Sequence, residues 1–148
     1  MAQHTLSVLV ENSPGVLARV ASLFSRRGYN IDSLAVGPTE SPEISRITIV
    51  LNLEGHALDQ VSAQLFKLVN VIGIQEMEDN NSHQRELLMV KVNSAGDNRS
   101  NLEAVIGKYR ASIVSQASAS LTIEAIGSSA EIAALLGELT SLNSWALT

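Results

Sequence analysis

Apolar and polar positions change period repeatedly along this chain, and each change predicts an element. Leu6–Val10 is a short apolar run that reads as a strand, closed by the turn Glu11-Asn12-Ser13-Pro14-Gly15. Val16, Leu17, Val20, Leu23 and Phe24 then recur at i, i+1, i+4, i+7 and i+8, the stripe of an amphipathic helix. Arg19, Ser22, Arg26 and Arg27 fall mostly on its wet face. Pro14 stands near the first turn, where a missing N–H is no loss. Gly28 follows the last turn, where positive φ is wanted. A second strand over Ile31–Val36 ends at Gly37-Pro38, and a polar loop from Thr39 to Glu43 leads into a long third strand, Ile44–Leu53. There Ile47, Ile49 and Leu51 alternate with Arg46, Thr48 and Val50, the period of a sheet with one better-covered face. A second helix from about Ala57 to Leu68 aligns Leu58, Val61, Leu65 and Leu68, and Val69–Met77 reads as a fourth strand.

The resulting order, βαββαβ, closes naturally as two interleaved split βαβ units: a four-stranded antiparallel sheet with both helices on one face. Such a ferredoxin-like unit of about 75 residues is small for a free-standing domain, and its bare face and edges invite a partner. Glu78 to Gln84 is polar, lacks apolar periodicity and reads as a linker. The pattern then restarts with a strand (Glu86–Val92), a Gly-containing turn (Asn93–Asp97) and a helix burying Leu102, Val105, Ile106 and Tyr109. Two more strands follow (Ala111–Ser115 and Ala119–Ile126). A capping box from Ser128 to Glu131 opens a helix carrying Ile132, Leu135, Leu136 and Leu139. The last strand has only Trp145, Ala146 and Leu147 to build from. The expected fold is therefore α+β: two ferredoxin-like βαββαβ domains over residues 1–78 and 79–148, the second shortened at its C-terminal end.

Composition excludes several classes of function. The 148 residues are 45% apolar, enough for packed cores, yet no apolar run approaches the ~18 residues of a spanning helix. No basic region, apolar block and small-residue cleavage site opens the chain, so a cytoplasmic location is expected. The absence of cysteine removes disulfides, thiolate metal sites and thiol nucleophiles together. A net charge of −5 and 3% aromatics argue against nucleic acid, whose binding leans on phosphate neutralisation and base stacking.

The candidate chemistry is sparse. His4, His56 and His83 are far apart and have no paired carboxylate spacing, so no metal site is expected. Glu40 and Glu43 have no partner acid or base, and Ser13 and Ser33 lack a nucleophile elbow. Arg26-Arg27 suits the dipole at a helix C-terminus. No catalytic constellation is visible. The Asn12–Gly15 corner is different: strand, Asn-Gly turn and helix start place unpaired backbone N–H groups where a small anion can dock. The plainer reading is that Asn12 or Ser13 caps the helix, and that Asn30, just past Gly28, finishes it.

Three stretches carry a resemblance. Leu6-Ser7-Val8-Leu9-Val10-Glu11-Asn12-Ser13-Pro14-Gly15-Val16-Leu17, then Leu23-Phe24-Ser25-Arg26-Arg27-Gly28-Tyr29-Asn30-Ile31-Asp32-Ser33-Leu34-Ala35-Val36, then Thr39 with Ser45-Arg46-Ile47-Thr48, closely resemble the regulatory (small) subunit of acetolactate synthase, also called acetohydroxyacid synthase. The Asn-x-Pro-Gly-Val-Leu element is shared by ACT domains at large, the amino-acid-sensing ferredoxin-like modules. The continuation from Gly28 is more specific to this family. The similarity is strong over residues 4–78 and continues through Glu86–Val92 to about Leu139. Family members go on to a final strand and an Arg-Thr-Gly-containing tail, whereas Thr140–Thr148 departs from that pattern.

The resemblance implies a subunit without an active site, whose N-terminal ACT domains pair side by side as a homodimer. It implies a branched-chain amino acid, usually valine, bound where they meet. Carried onto matching positions, Asn12 and the backbone of Gly15 and Val16 meet the effector carboxylate, and Asn30 from the partner chain meets its amino group. Val36 stands near its side chain. The partner is the catalytic (large) subunit, to which thiamine diphosphate, magnesium and FAD belong; this chain is expected to carry no cofactor, and neither nucleic acid nor membrane is expected as a partner. An acylphosphatase-type enzyme would need an arginine in the anion-cradling turn, and Glu11–Val16 has none. The alternative is a stand-alone ACT-domain amino-acid sensor or transcriptional co-regulator.

Overall fold

Backbone pairing lengthens the first strand well beyond its apolar run. In the computed structural model, which describes residues 2–96 and 98–142, β1 (Ala2–Glu11) lies antiparallel to β3 (Ile44–Leu53) over its whole length, from Ala2 opposite Leu53 to Glu11 opposite Ile44. Polar residues at its start, Gln3 and His4, are carried into the strand by that ladder and not by their own propensity. α1 (Val16–Arg27) ends where Gly28 predicts but starts later than Pro14 suggested, leaving Pro14 in the preceding turn: Gly15 (φ 82°) and Gly28 (φ 70°) take the left-handed conformation at its two ends. β2 (Ile31–Pro38), α2 (Ala57–Phe66) and β4 (Val71–Met77) complete the unit.

The sheet order is β2-β3-β1-β4. Leu6 and Val8 of β1 and Ile47, Ile49 and Leu51 of β3 turn one face toward Val20 and Phe24 of α1 and Val61 and Leu65 of α2. Both helices therefore cover the same face, as the alternation in β3 predicts. β2 is left as an edge, mostly exposed, with Leu34 and Val36 open to solvent. Sequence periodicity placed the end of α2 and the start of β4 too close together. Lys67 and Leu68 bond three residues back, to Gln64 and Leu65, so the last turn tightens and the helix stops at Phe66. Val69 is 84% exposed in the connecting turn and not in a strand.

The chain divides into two compact units, Met1–Ser82 and His83–Thr148. The second contains β5 (Glu86–Asn93), α3 (Asn98–Lys108), β6 (Ser112–Gln116), β7 (Ser120–Gly127) and α4 (Ser129–Ser141), with sheet order β5-β7-β6. Leu102, Leu121, Ile123, Leu135 and Leu139 form its own core. The strand expected over Asn143–Thr148 lies outside the described residues.

The capping box of α4 is present. Glu131 N–H reaches Ser128 Oγ at 3.3 Å, and the Glu131 carboxylate accepts Ser128 N–H at 2.7 Å. A Cβ on Gly127 would lie 2.9 Å from that carboxylate, so glycine is what lets it close over the cap. The backbone and hydroxyl donors of Ser128 hold the Glu131 carboxyl below its ordinary range. A carboxyl depressed in the folded state stabilises fully above its unfolded value and loses that contribution as pH falls through the lower folded value. Glu131→Gln should therefore flatten the acid side of the second unit's stability profile, read as melting temperature from neutral to acid pH. An acid limb unchanged by the substitution would refute this assignment. Ser128→Ala should cost about 1 kcal/mol at neutral pH.

Candidate functional site

The corner between β1 and α1 is built from backbone. The helical ladder begins with Arg19 N–H to Gly15 O at 3.1 Å, so the amides before it precede any intrahelical bond, and no side chain caps the turn. The capping reading of Asn12 and Ser13 is thus overturned. The reason is tertiary: the Asn12 carboxamide donates to Pro42 O at 2.9 Å, and its backbone N–H donates to Glu43 O at 2.7 Å. These two bonds tie the helix entry to the loop between β2 and β3. That loop is itself fastened, since the Thr39 hydroxyl donates to Ile44 O at 2.9 Å and accepts Ser41 N–H at 3.2 Å. Asn12 keeps one N–H and its carbonyl oxygen for another partner.

Gly15 is exposed beside it, whereas the Val16 side chain is 4% exposed and buried in the core, so Val16 offers only its amide. Val36 is 49% exposed on β2, opposite Ile47 and two residues from the strand end that adjoins the Asn12 loop. Asn12, Gly15 and the Val16 amide are therefore gathered at one end of the unit. Asn30 is not with them. It follows the C-terminus of α1, whose 12 residues rise about 18 Å. It does not finish the helix either: Gly28 does that, its N–H reaching Ser25 O at 3.2 Å. Asn30 donates instead to Asp32 Oδ1 at 3.0 Å, and Asn52 donates to the other oxygen of Asp32. Asp32 and Asn52 were missed from sequence because they meet only through the β2–β3 register, which shifts between Ile31 and Ser33.

Among the described residues no three His, Asp or Glu side chains come together to hold a metal, and no helix is long and apolar enough to cross a membrane. His4 pairs with Glu76 at 2.8 Å.

A four-stranded sheet with two helices on one face, and an uncapped helix N-terminus facing outward after the first strand, is the build of an ACT domain. Residues 6–73 match the family model described as the AHAS small subunit-like ACT domain, and residues 85–145 match that of the small subunit of acetolactate synthase. The acetolactate synthase small subunit of Mycolicibacterium smegmatis is 53% identical over 133 residues, covering 90% of this chain and 78% of that protein. The small subunit from Mycobacterium avium is equally 53% identical, with 90% and 80% covered. The crystal structure of the acetolactate synthase small subunit from Thermotoga maritima superposes with a TM-score of 0.89 at 29% identity, covering 99% of this chain and 91% of that one. This chain belongs to the acetolactate synthase small-subunit family.

Proposed function

We propose that the chain acts in the cytoplasm as the regulatory subunit of acetolactate synthase. In this reading it binds and activates the thiamine-diphosphate-dependent catalytic subunit and confers feedback inhibition by valine or another branched-chain amino acid. The thiamine diphosphate, magnesium and FAD stay with the catalytic subunit, and this chain contributes binding energy only. Feedback is then a coupling free energy between the effector site and the catalytic centre.

The observation that carries the effector reading is the open start of α1 beside a loop fixed by Asn12. The amides of Gly15 and Val16, with the remaining N–H of Asn12, suit a carboxylate and need little rearrangement to hold it. A free amino acid also presents an ammonium, and about 18 Å of helix separates Asn30 from the same corner of its own chain. Asn30 of a second copy is the one that meets this group, in a homodimer joined at the exposed β2 edges, where Val36 borders the effector's side chain.

Mixing the chain with the catalytic subunit should raise pyruvate turnover, and valine should then lower it; sedimentation should find a dimer at micromolar concentration. An unchanged rate across all subunit ratios, with no large partner recovered from native lysate, would return the chain to a stand-alone sensor. Within the site, Asn12→Ala and Asn30→Ala should each weaken valine binding by about 1–3 kcal/mol, the scale of one polar group left unpaired. Calorimetric titration and melting on the same proteins tell binding from folding: a fall in melting temperature with unchanged affinity would remove both residues from the site.

A further inference from the structure

The outer surface of the two helices in the first unit carries a strong local charge imbalance. A groove of about 420 Å3 runs between α1 and α2, lined by Arg19, Arg26, Arg27 and Lys67 and by no aspartate or glutamate. The whole chain has 10 Lys and Arg against 15 Asp and Glu. Four of those ten cations thus line a groove that holds none of the fifteen acids. Arg26 and Arg27 in the last turn of α1, and Lys67 at the C-cap of α2, favour the dipoles of their helices. That explanation does not reach Arg19, near the opposite end of α1, nor does it account for the two helix ends sharing one groove. The Arg19 guanidinium donates to the neutral Asn70 Oδ1 at 2.6 Å, and Arg26, Arg27 and Lys67 form no ion pair among the described residues. Clustered like charges repel, and an anionic partner relieves that repulsion.

The apolar content of the groove indicates what kind of anion fits. Leu23 and Leu68 are half-buried in its lining, and Lys67 is flanked in sequence by Phe66, 55% exposed. Arginine mixed with aromatic and aliphatic groups is the composition of protein interfaces. Arg19 and Arg26 are one heptad apart, about 10 Å along the helix axis, a span that suits a row of carboxylates better than a single small anion.

We propose that this groove docks an acidic segment of the catalytic subunit, with carboxylates meeting Arg19, Arg26, Arg27 and Lys67 and apolar side chains seated on Leu23 and Leu68. The identity of the partner rests on the regulatory-subunit reading; the groove and its charge do not. Arg19 brings one end of the groove up to the effector corner, its N–H donating to Gly15 O and its guanidinium to Asn70, which holds Glu11. None of Asn12, Gly15, Val16, Asn30 and Val36 lines the groove, so docking and effector binding are tested by separate substitutions.

The test uses the full chain with Arg26→Glu and Lys67→Glu combined, leaving Arg19 to hold Asn70. The affinity for the catalytic subunit is measured between about 50 and 300 mM salt, alongside valine titration and melting. The native chain should lose affinity as salt rises. The double variant should bind at least tenfold more weakly at low salt and lose most of the salt response, with valine affinity unchanged and a melting temperature lower by no more than the few degrees that reversed charges at two helix ends explain. Arg26→Lys with Lys67→Arg should bind as the native chain does. Should the double variant melt early, Arg26→Gln and Lys67→Gln, taken singly, carry the same readout with about threefold losses. Native-like affinity and salt response in the reversed variant would overturn the docking site while leaving the regulatory reading intact. A native chain that never binds the catalytic subunit overturns both. Loss in the variant of native binding to RNA or to an anionic vesicle, with subunit association unaltered, assigns the groove to another polyanion and overturns it as well.

Discussion

Gly15→Asp should abolish the response to valine while leaving activation of the catalytic subunit in place. An added Cβ meets no heavy atom within 4 Å, so steric clash is not the cause. Two other effects act. A side chain at φ 82° costs about 1–2 kcal/mol of backbone strain. The new carboxylate sits at the positive end of α1, where it recovers about 0.3–1 kcal/mol from the dipole, so the fold loses little. The effector's own carboxylate needs the same amides, and two such charges about 4 Å apart repel by about 1–4 kcal/mol between fully hydrated and partly shielded surroundings. Adding the loss of the donors themselves puts valine binding beyond calorimetric reach. Gly15→Ala separates the causes, since it has the strain without the charge and should keep much of the affinity. Feedback inhibition of the Gly15→Asp holoenzyme at native valine concentrations would refute the effector corner.

Phe24→Ala should have the largest effect on stability, and it should act on one unit alone. Phe24 is 1% exposed, on the core face of α1 against the sheet. Deleting a fully buried ring leaves a cavity as well as losing transfer free energy, about 3–5 kcal/mol together. Small domains hold only about 5–15 kcal/mol in total, so the first unit should melt more than about 10 °C earlier. The second unit is built on Leu102, Ile123, Leu135 and Leu139 and shares none of the first core's residues. Scanning calorimetry should therefore show one transition moving down and another staying. A single transition that moves as a whole would show the two cores to be energetically linked.

Legibility from sequence followed the range of the interactions. The body and C-terminal end of α1 were readable because the Val16–Phe24 stripe and Gly28 act within one or two turns, whereas its start was not, since Pro14 and the cap reading of Asn12 or Ser13 put it earlier than Val16. The Ser128–Glu131 box was readable for the same reason, its two members being three residues apart. Asn12 was recognisable as a member of a family motif, yet its physical role was not legible. The local rule made it a cap, whereas its amide is spent on Pro42 O, 30 residues away. Val69 failed for a related reason. A β-branched residue before Ile72 and Ile74 has strand propensity, but the tightened end of α2 holds it in the turn. The charged groove was invisible as a unit, because Lys67 joins the arginines only when α2 packs beside α1.

The sequence by itself determined the alternation of periods, hence the order of elements and which face of each is apolar, and it determined the family. Tertiary structure alone decided the partners of the polar groups: Asn12 with the Pro42–Glu43 loop, and Asn30 and Asn52 with Asp32. Periodicity records which side of a strand or helix avoids water. A hydrogen bond between residues dozens of positions apart depends on strand register, and register is chosen by the packing of the whole sheet.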